Sequence, residues 1–485
     1  MIKIDKQNVI KFFPFLVLVG LYLSAQAYKI MYMAPLPDNI WDNVVIWDWA
    51  RSVGVGDFSA FSDDSHHRLR WGNWIAPAIL VKLFSDNILI YFFSTIIPSI
   101  LASLLFSYFV WRYIGLWQTA LFLVLWFFDS EMFKATFQLL PTGQSLLPIS
   151  IVLLLVTYVI QLKNEVRPVK TYWFVVISMA MFWLYGVKET YMAFFPAVAW
   201  LMWQVGGFRA LKVLTIVMLI GYVCETVFYS LISDSFPVLG RIFAILNSGA
   251  HIDIMLTNAH HLARQTRYFD SGITMRWAVA TGVSSIVFYM AFIASVLTMA
   301  QRQVNRISSE YKANDVVALM LLSFIVFTTF FIISISPIRL GQPLVSRYLG
   351  IGLPFSYIIL LYFVSQQLKE NSRWFKLSAM CIVPFYIAPA INRFADYPEI
   401  GIHQIAAKYY QLGQNLNEVD CVKGRNKMIF SNELDLIPKS ARSPSLDKMI
   451  MEKNYYAENH WYIFKQGDGE CETSYSINRV ESQRY

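Results

Sequence analysis

Apolar residues along this chain fall into long unbroken runs, not into the two-residue alternation of a half-buried strand or the stripe of a surface helix. A helix needs roughly 17–25 such residues to cross a bilayer core. About eleven runs of this kind occur, at residues 10–30, 88–111, 114–128, 146–162, 171–186, 190–205, 213–232, 276–299, 316–335, 348–366 and 377–391. One further apolar run, Ile75 to Phe84, is too short to span and is interrupted by Pro77 and Lys82. With Trp71 and Trp74 ahead of it, that run predicts a helix lying in the membrane interface. From Asn392 onward no run of spanning length occurs and charged residues become frequent. The pattern therefore predicts an all-α polytopic membrane protein. Its transmembrane body covers residues 1–391, with interfacial helices in the first outer loop, and a small extracytoplasmic region covers 392–485.

Composition narrows the class. Of 485 residues, 56% are hydrophobic and 15% charged, which excludes a soluble globular domain. The net charge of +8 would suggest nucleic acid in a soluble chain. Here the basic residues sit in short loops between apolar runs, among them Arg112, Lys163, Arg167, Arg209, Lys212, Arg302 and Lys369. The positive-inside rule accounts for them, and no nucleic-acid partner is expected. Eleven crossings then place the N-terminus in the cytoplasm and the C-terminus outside the cytoplasmic membrane, with the long polar segments on the outer face. No small-x-small cleavage site follows the first apolar run before the acidic loop, so that run reads as a retained helix.

Candidate chemistry concentrates between Pro35 and Trp74. This stretch holds Asp38, Asp42, Asp48, Asp57, Asp63 and Asp64 with His66, His67, Arg68 and Arg70, and threads five tryptophans among them. Asp38 and Asp42 stand four apart and share a face of any helical turn. A partly buried carboxylate at a membrane surface suits a general base for a sugar hydroxyl, and solvated loop acids or helix caps are the plain alternative. Guanidinium groups match phosphate oxygens in fork geometry, so Arg68 and Arg70 suit a lipid phosphate; pairing with Asp63 and Asp64 is the alternative. Lys188 and Glu189 occupy a short turn between two spans, where charges are costly. Either they pair with each other or Lys188 binds phosphate. Arg347 begins a late span at the same outer surface, where headgroup snorkelling is the alternative. The pairs His66-His67 and His260-His261 invite a metal, but adjacent helical residues diverge by about 100° and seldom chelate together. No zinc spacing occurs among the four cysteines. Cys421 and Cys471 both lie beyond Asn392; in an oxidising compartment their disulfide would stabilise that region by about 4 kcal/mol, the alternative being two free thiols.

Four features then resemble the membrane-embedded C-type (GT-C) glycosyltransferases, across residues 1–391. A retained first helix precedes an acidic outer loop, whose DNVVIWDWA resembles the family's acidic motif. The second acid of that motif is replaced here by Asn43, which leaves Asp38 and Asp42 as competing matches. An arm ending in RLRWGNWIAP, a VKETY turn and an SRYLGIGLP segment follow in order. The resemblance implies an inverting transfer of a hexosyl or pentosyl group from a polyprenyl-phosphate sugar at the outer leaflet to a glycan, lipid or protein acceptor. Asp42 or Asp38 would be the base. Arg68, Arg70, Lys188 and Arg347 would hold the donor phosphate, with Glu189, His66 and His67 near the acceptor or behind these groups. No resident cofactor is implied, and a divalent metal is left open. An outer-leaflet polysaccharide polymerase and a lipid-linked glycan transporter or flippase are the competing functions.

Overall fold

The computed structural model describes residues 6–35, 41–58, 66–233, 236–242, 244, 283–304, 310–335, 350–369, 401–419, 421–424, 434, 436–444, 446, 456–458, 461–465 and 474–477. The body is helical throughout. Helix α1 is Lys6–Tyr32, and α2 (Trp41–Gly54), α3 (His66–Leu69) and α4 (Trp71–Phe84) form an arm before α5, Ile88–Tyr113. Then come α6 (Leu116–Phe128), α7 (Ser130–Phe137), α8 (Pro141–Asn164), α9 (Thr171–Val187), a 3-10 turn at Glu189–Phe194 and α10, Phe195–Ile232. Helices α11 (Val283–Val304), α12 (Ala313–Ile335) and α13 (Leu353–Lys369) follow, and the apolar run expected at 377–391 lies outside the described residues.

Among the described residues, four helical segments are long and apolar enough to cross a membrane: Phe12–Tyr32, Ile88–Tyr113, Pro141–Asn164 and Glu189–Ile232. Helices α6, α9, α12 and α13 also contribute apolar segments, each shorter. Helix α6, with 13 residues, rises only about 20 Å.

The longest segment is not one rod. Gly207 inside α10 has φ 56° and ψ −145°, a conformation open to glycine and strained for other residues. Residues on either side of it run along α9 in opposite directions. Gly206 lies against Phe174 near the start of α9, whereas Gly221 lies against Phe182 near its end. The chain descends over 195–206, reverses at Gly207 and returns over 208–232, which matches the two apolar runs separated in the sequence.

Two apolar cores result. The larger fills the body, with Phe106, Trp126, Val152, Leu201, Phe324 and Phe355 among its members. The second lies at one end and joins the arm to the ends of other helices through Ile46, Trp47, Trp49, Trp74, Phe137 and Tyr229. Trp47 and Trp49 are 1% exposed. They are core residues of the arm rather than anchors in a headgroup layer, because α2 and α4 pack on each other at Gly54, whose α-carbon leaves no room beside Ala78 and Val81. Helix α4 forms where the interfacial helix was expected. It buries Trp74, Ala78 and Val81 and leaves Ile75, Ile79 and Leu83 exposed.

At the opposite end the predicted inner loops meet. Asn164 Nδ2 donates to Tyr311 O at 2.9 Å, Lys163 to Gln204 O, and Arg209 to Thr171 Oγ1. Arg302 pairs with Asp315 at 2.9 Å.

Beyond the body, α14 (Ile402–Asn417) presents Ile402, Ile405 and Tyr409 to the second core. Four short strands follow: β1 (Cys421–Gly424), β2 (Tyr456–Glu458), β3 (Trp461–Lys465) and β4 (Ser474–Ile477), in the order β2-β3-β1-β4. Strand β1 runs antiparallel to β3 and parallel to β4.

Candidate functional site

The site grows from the junction between α3 and α4. Gly72 there approaches the end of α9 so closely that a Cβ would stand 2.5 Å from Val187 N, while Gly186 faces the Trp71 ring. Asn73 Nδ2 donates to Val187 O at 2.9 Å, and Trp74 Nε1 donates to Arg68 O at 2.8 Å. These contacts fix the backbone from which Arg68 and Arg70 project.

Arg70 reaches the turn after α9. Its Nε and Nη2 both donate to Glu189 Oε2, at 3.1 and 3.0 Å, and Nε also reaches Oε1 at 3.4 Å, so the carboxylate covers the guanidinium edge that can also take a phosphate. Glu189 is shared, since Arg241 Nε lies 3.5 Å from its Oε1.

Arg241 is the centre of the cluster, and its side chain is wholly buried. Nη1 donates to Leu69 O at 3.1 Å and Gly186 O at 3.2 Å, and Nη2 donates to Tyr185 O at 2.7 Å. Nε lies 3.3 Å from Glu225 Oε1, and the guanidinium stacks 4.0 Å from the Tyr185 ring centre. Burial alone would depress the Arg241 pKa, but Glu225 and Glu189 more than reverse this and hold it above its ordinary value. Tyr229 OH adds a bond to Leu69 O at 2.7 Å. One guanidinium thus ties the α3–α4 junction, the end of α9 and the second limb of α10.

Arg68 sits over the Trp49 ring at 5.8 Å. Burial lowers its pKa, with Asp48 acting in the opposite sense. Arg51 pairs with Asp86 at 2.8 Å and holds α2 to the start of α5. Lys188 lies 5.8 Å from the Tyr191 ring centre, and His67 is buried beside Arg68 in α3. Asp42 is the second residue of α2, and Cys421 opens β1, opposite Ser474 of β4. The side chains of Asp42, His66 and Cys421 lie outside the described residues, as do Asp38, Asp63, Asp64, Arg347 and Cys471 entirely.

The structure therefore brings Arg70 and Glu189 into contact and keeps Arg68 and Lys188 on the segments that flank them. Among the described residues no group of three His, Cys, Asp or Glu side chains is arranged to hold a metal. A cavity of about 310 Å³, with Phe109, Val317 and Ile358 in its wall and Lys312 at its edge, lies at the other, basic end of the body.

No family model matches the chain, and no curated protein matches it. Function must be argued from the cluster itself. Its central pair, Arg241 and Glu225, was not singled out in the sequence. Glu225 carried a usable signal: it is the only charged residue in the apolar run 213–232, and a lone carboxylate in such a run calls for a buried partner. Arg241 carried none, standing in a long polar loop.

Proposed function

We propose that this chain is an integral membrane glycosyltransferase that moves a sugar from a polyprenyl-phosphate carrier to a glycan, lipid or protein acceptor at the outer face of the cytoplasmic membrane. The observation that carries this reading is the convergence, at one end of an apolar helical body, of the segment bearing Arg68 and Arg70, the turn bearing Lys188 and Glu189, and the arm whose α2 carries Asp42 in its first turn. Cations there suit a phosphate leaving group, whose developing charge is the main thing such a transfer must stabilise. Asp42 or Asp38 takes the proton of the acceptor hydroxyl as its oxygen attacks the anomeric carbon, with inversion, and the polyprenyl phosphate departs towards the cations. Basic residues gathered at the opposite end support the proposed orientation.

The test is incubation of purified protein with a polyprenyl-phosphate sugar and measurement of released polyprenyl phosphate. Asp42→Asn and Asp38→Asn separate the two candidates for the base: one is expected to lower transfer by roughly 10² or more, the other to act mildly. Undiminished transfer in the double variant, at normal abundance, would remove the base from this loop. Transport of a lipid-linked glycan is the second reading, and Glu225 favours it, since an ionisable residue inside a spanning segment is frequent in transporters. That reading predicts no release of polyprenyl phosphate.

A further inference from the structure

The two ion pairs of the cluster differ in accessibility. In Arg241–Glu225 the side chains are 0% and 2% exposed, whereas in Arg70–Glu189 they are 11% and 20% exposed. Arg241 Nε lies 3.3 Å from Glu225 Oε1 and 3.5 Å from Glu189 Oε1. Glu189 can therefore leave Arg70 and stay tethered through Arg241. Among the described residues, Glu189 is the one carboxylate paired with Arg70. Its Oε2 takes both Nε and Nη2, the edge of the guanidinium that a phosphate would engage.

We propose that Glu189 is an internal stand-in for the ligand phosphate, holding Arg70 in its binding pose until the phosphate of a polyprenyl carrier displaces it. This rests on the glycosyl-transfer reading and adds the exchange to it. Charge supports the exchange. Arg70 and Arg241 carry two positive charges, and Glu189 lies against both guanidinium groups. An incoming phosphate adds negative charge and must compete with Glu189 for one guanidinium. Removing the charge of Glu189, while leaving an amide of the same size, frees Arg70 for the phosphate without removing Arg241 or Glu225.

The experiment measures the affinity of full-length purified protein for a polyprenyl phosphate in detergent, for the wild type, Glu189→Gln, Arg70→Gln and the double variant. Glu189→Gln is expected to bind about tenfold more tightly than wild type, the scale of one competing charge-assisted hydrogen bond. Arg70→Gln is expected to bind more weakly, and the double variant no better than Arg70→Gln. Melting temperatures confirm folding, and Glu189→Asp, whose shorter side chain withdraws from Arg70, is expected to tighten binding in the same direction. Inorganic phosphate at equal concentration is expected to leave the lipid bound; full displacement would show that phosphate alone is recognised and would overturn the lipid assignment. Equal affinity of folded wild type and Glu189→Gln overturns the exchange while leaving the glycosyl-transfer reading standing. Absence of polyprenyl phosphate binding in every variant overturns both.

Discussion

Arg241 shows how much of this molecule depends on one side chain. Its guanidinium meets three backbone carbonyls and two carboxylates in a space without solvent. Arg241→Gln would take the shared donor from three backbone carbonyls and the partner from Glu225, 2% exposed, and removing one partner of a buried pair costs about 3–5 kcal/mol. Thermal unfolding in detergent is expected to show that loss. Adding Glu225→Gln is expected to recover part of it, so the double-mutant cycle should report a coupling well outside additivity. At this scale the sequence was legible in one direction only. Arg70 and Glu189 stood out because charges in a short turn and beside an acidic loop are unusual, yet nothing in their spacing paired them across 119 positions. The pairing depends on α4 packing against the end of α9, which is a tertiary fact.

Elements were easier to read than their contacts. Apolar run length located most of the body helices, and the short run after Trp71 and Trp74 located α4. What run length does not encode is close approach. The α4–α9 crossing depends on Gly72 and Gly186, whose missing side chains admit Val187 and Trp71. In Gly72→Ala the new methyl group would stand 2.5 Å from a backbone nitrogen, which a side-chain rotation does not relieve. The variant is expected to lose about 1–3 kcal/mol, the range for overpacking, and to shift the backbone that carries Arg70, taking the guanidinium out of the site. Measured beside Arg70→Gln, it should impair polyprenyl phosphate binding to a similar degree although it carries every charge of the wild type. Wild-type melting and binding in Gly72→Ala would show that the crossing is looser than the structure has it. The reversal at Gly207 was legible for a related reason: Arg209 and Lys212 interrupt the apolar pattern, and a glycine stands just ahead of them.

Across the whole molecule, alternation of basic and acidic loops anticipated that the two ends would differ in kind, and the inner-loop contacts at Tyr311, Gln204 and Thr171 gather at one end. Orientation in a membrane is a further step. A reporter active only outside the cytoplasm is expected to be active when fused at Tyr485 and silent after Gln301, and the reverse pattern would turn the proposed site towards the cytoplasm. The sheet of the tail was not legible, because its strands are three to five residues long and too short for a periodic signal.

The placement of α14 also sets a schedule. Gly401 lies against the backbone of Met31, and Ile402 and Ile405 share a core with Ala34, Ile46 and Trp49, so the segment after α1 is completed by residues more than 350 positions later in the chain. At about 5–20 residues per second, a ribosome needs roughly 20–70 s between the two. For that interval the newly made arm presents an unfinished apolar face, and its packing must wait for α14 to be made.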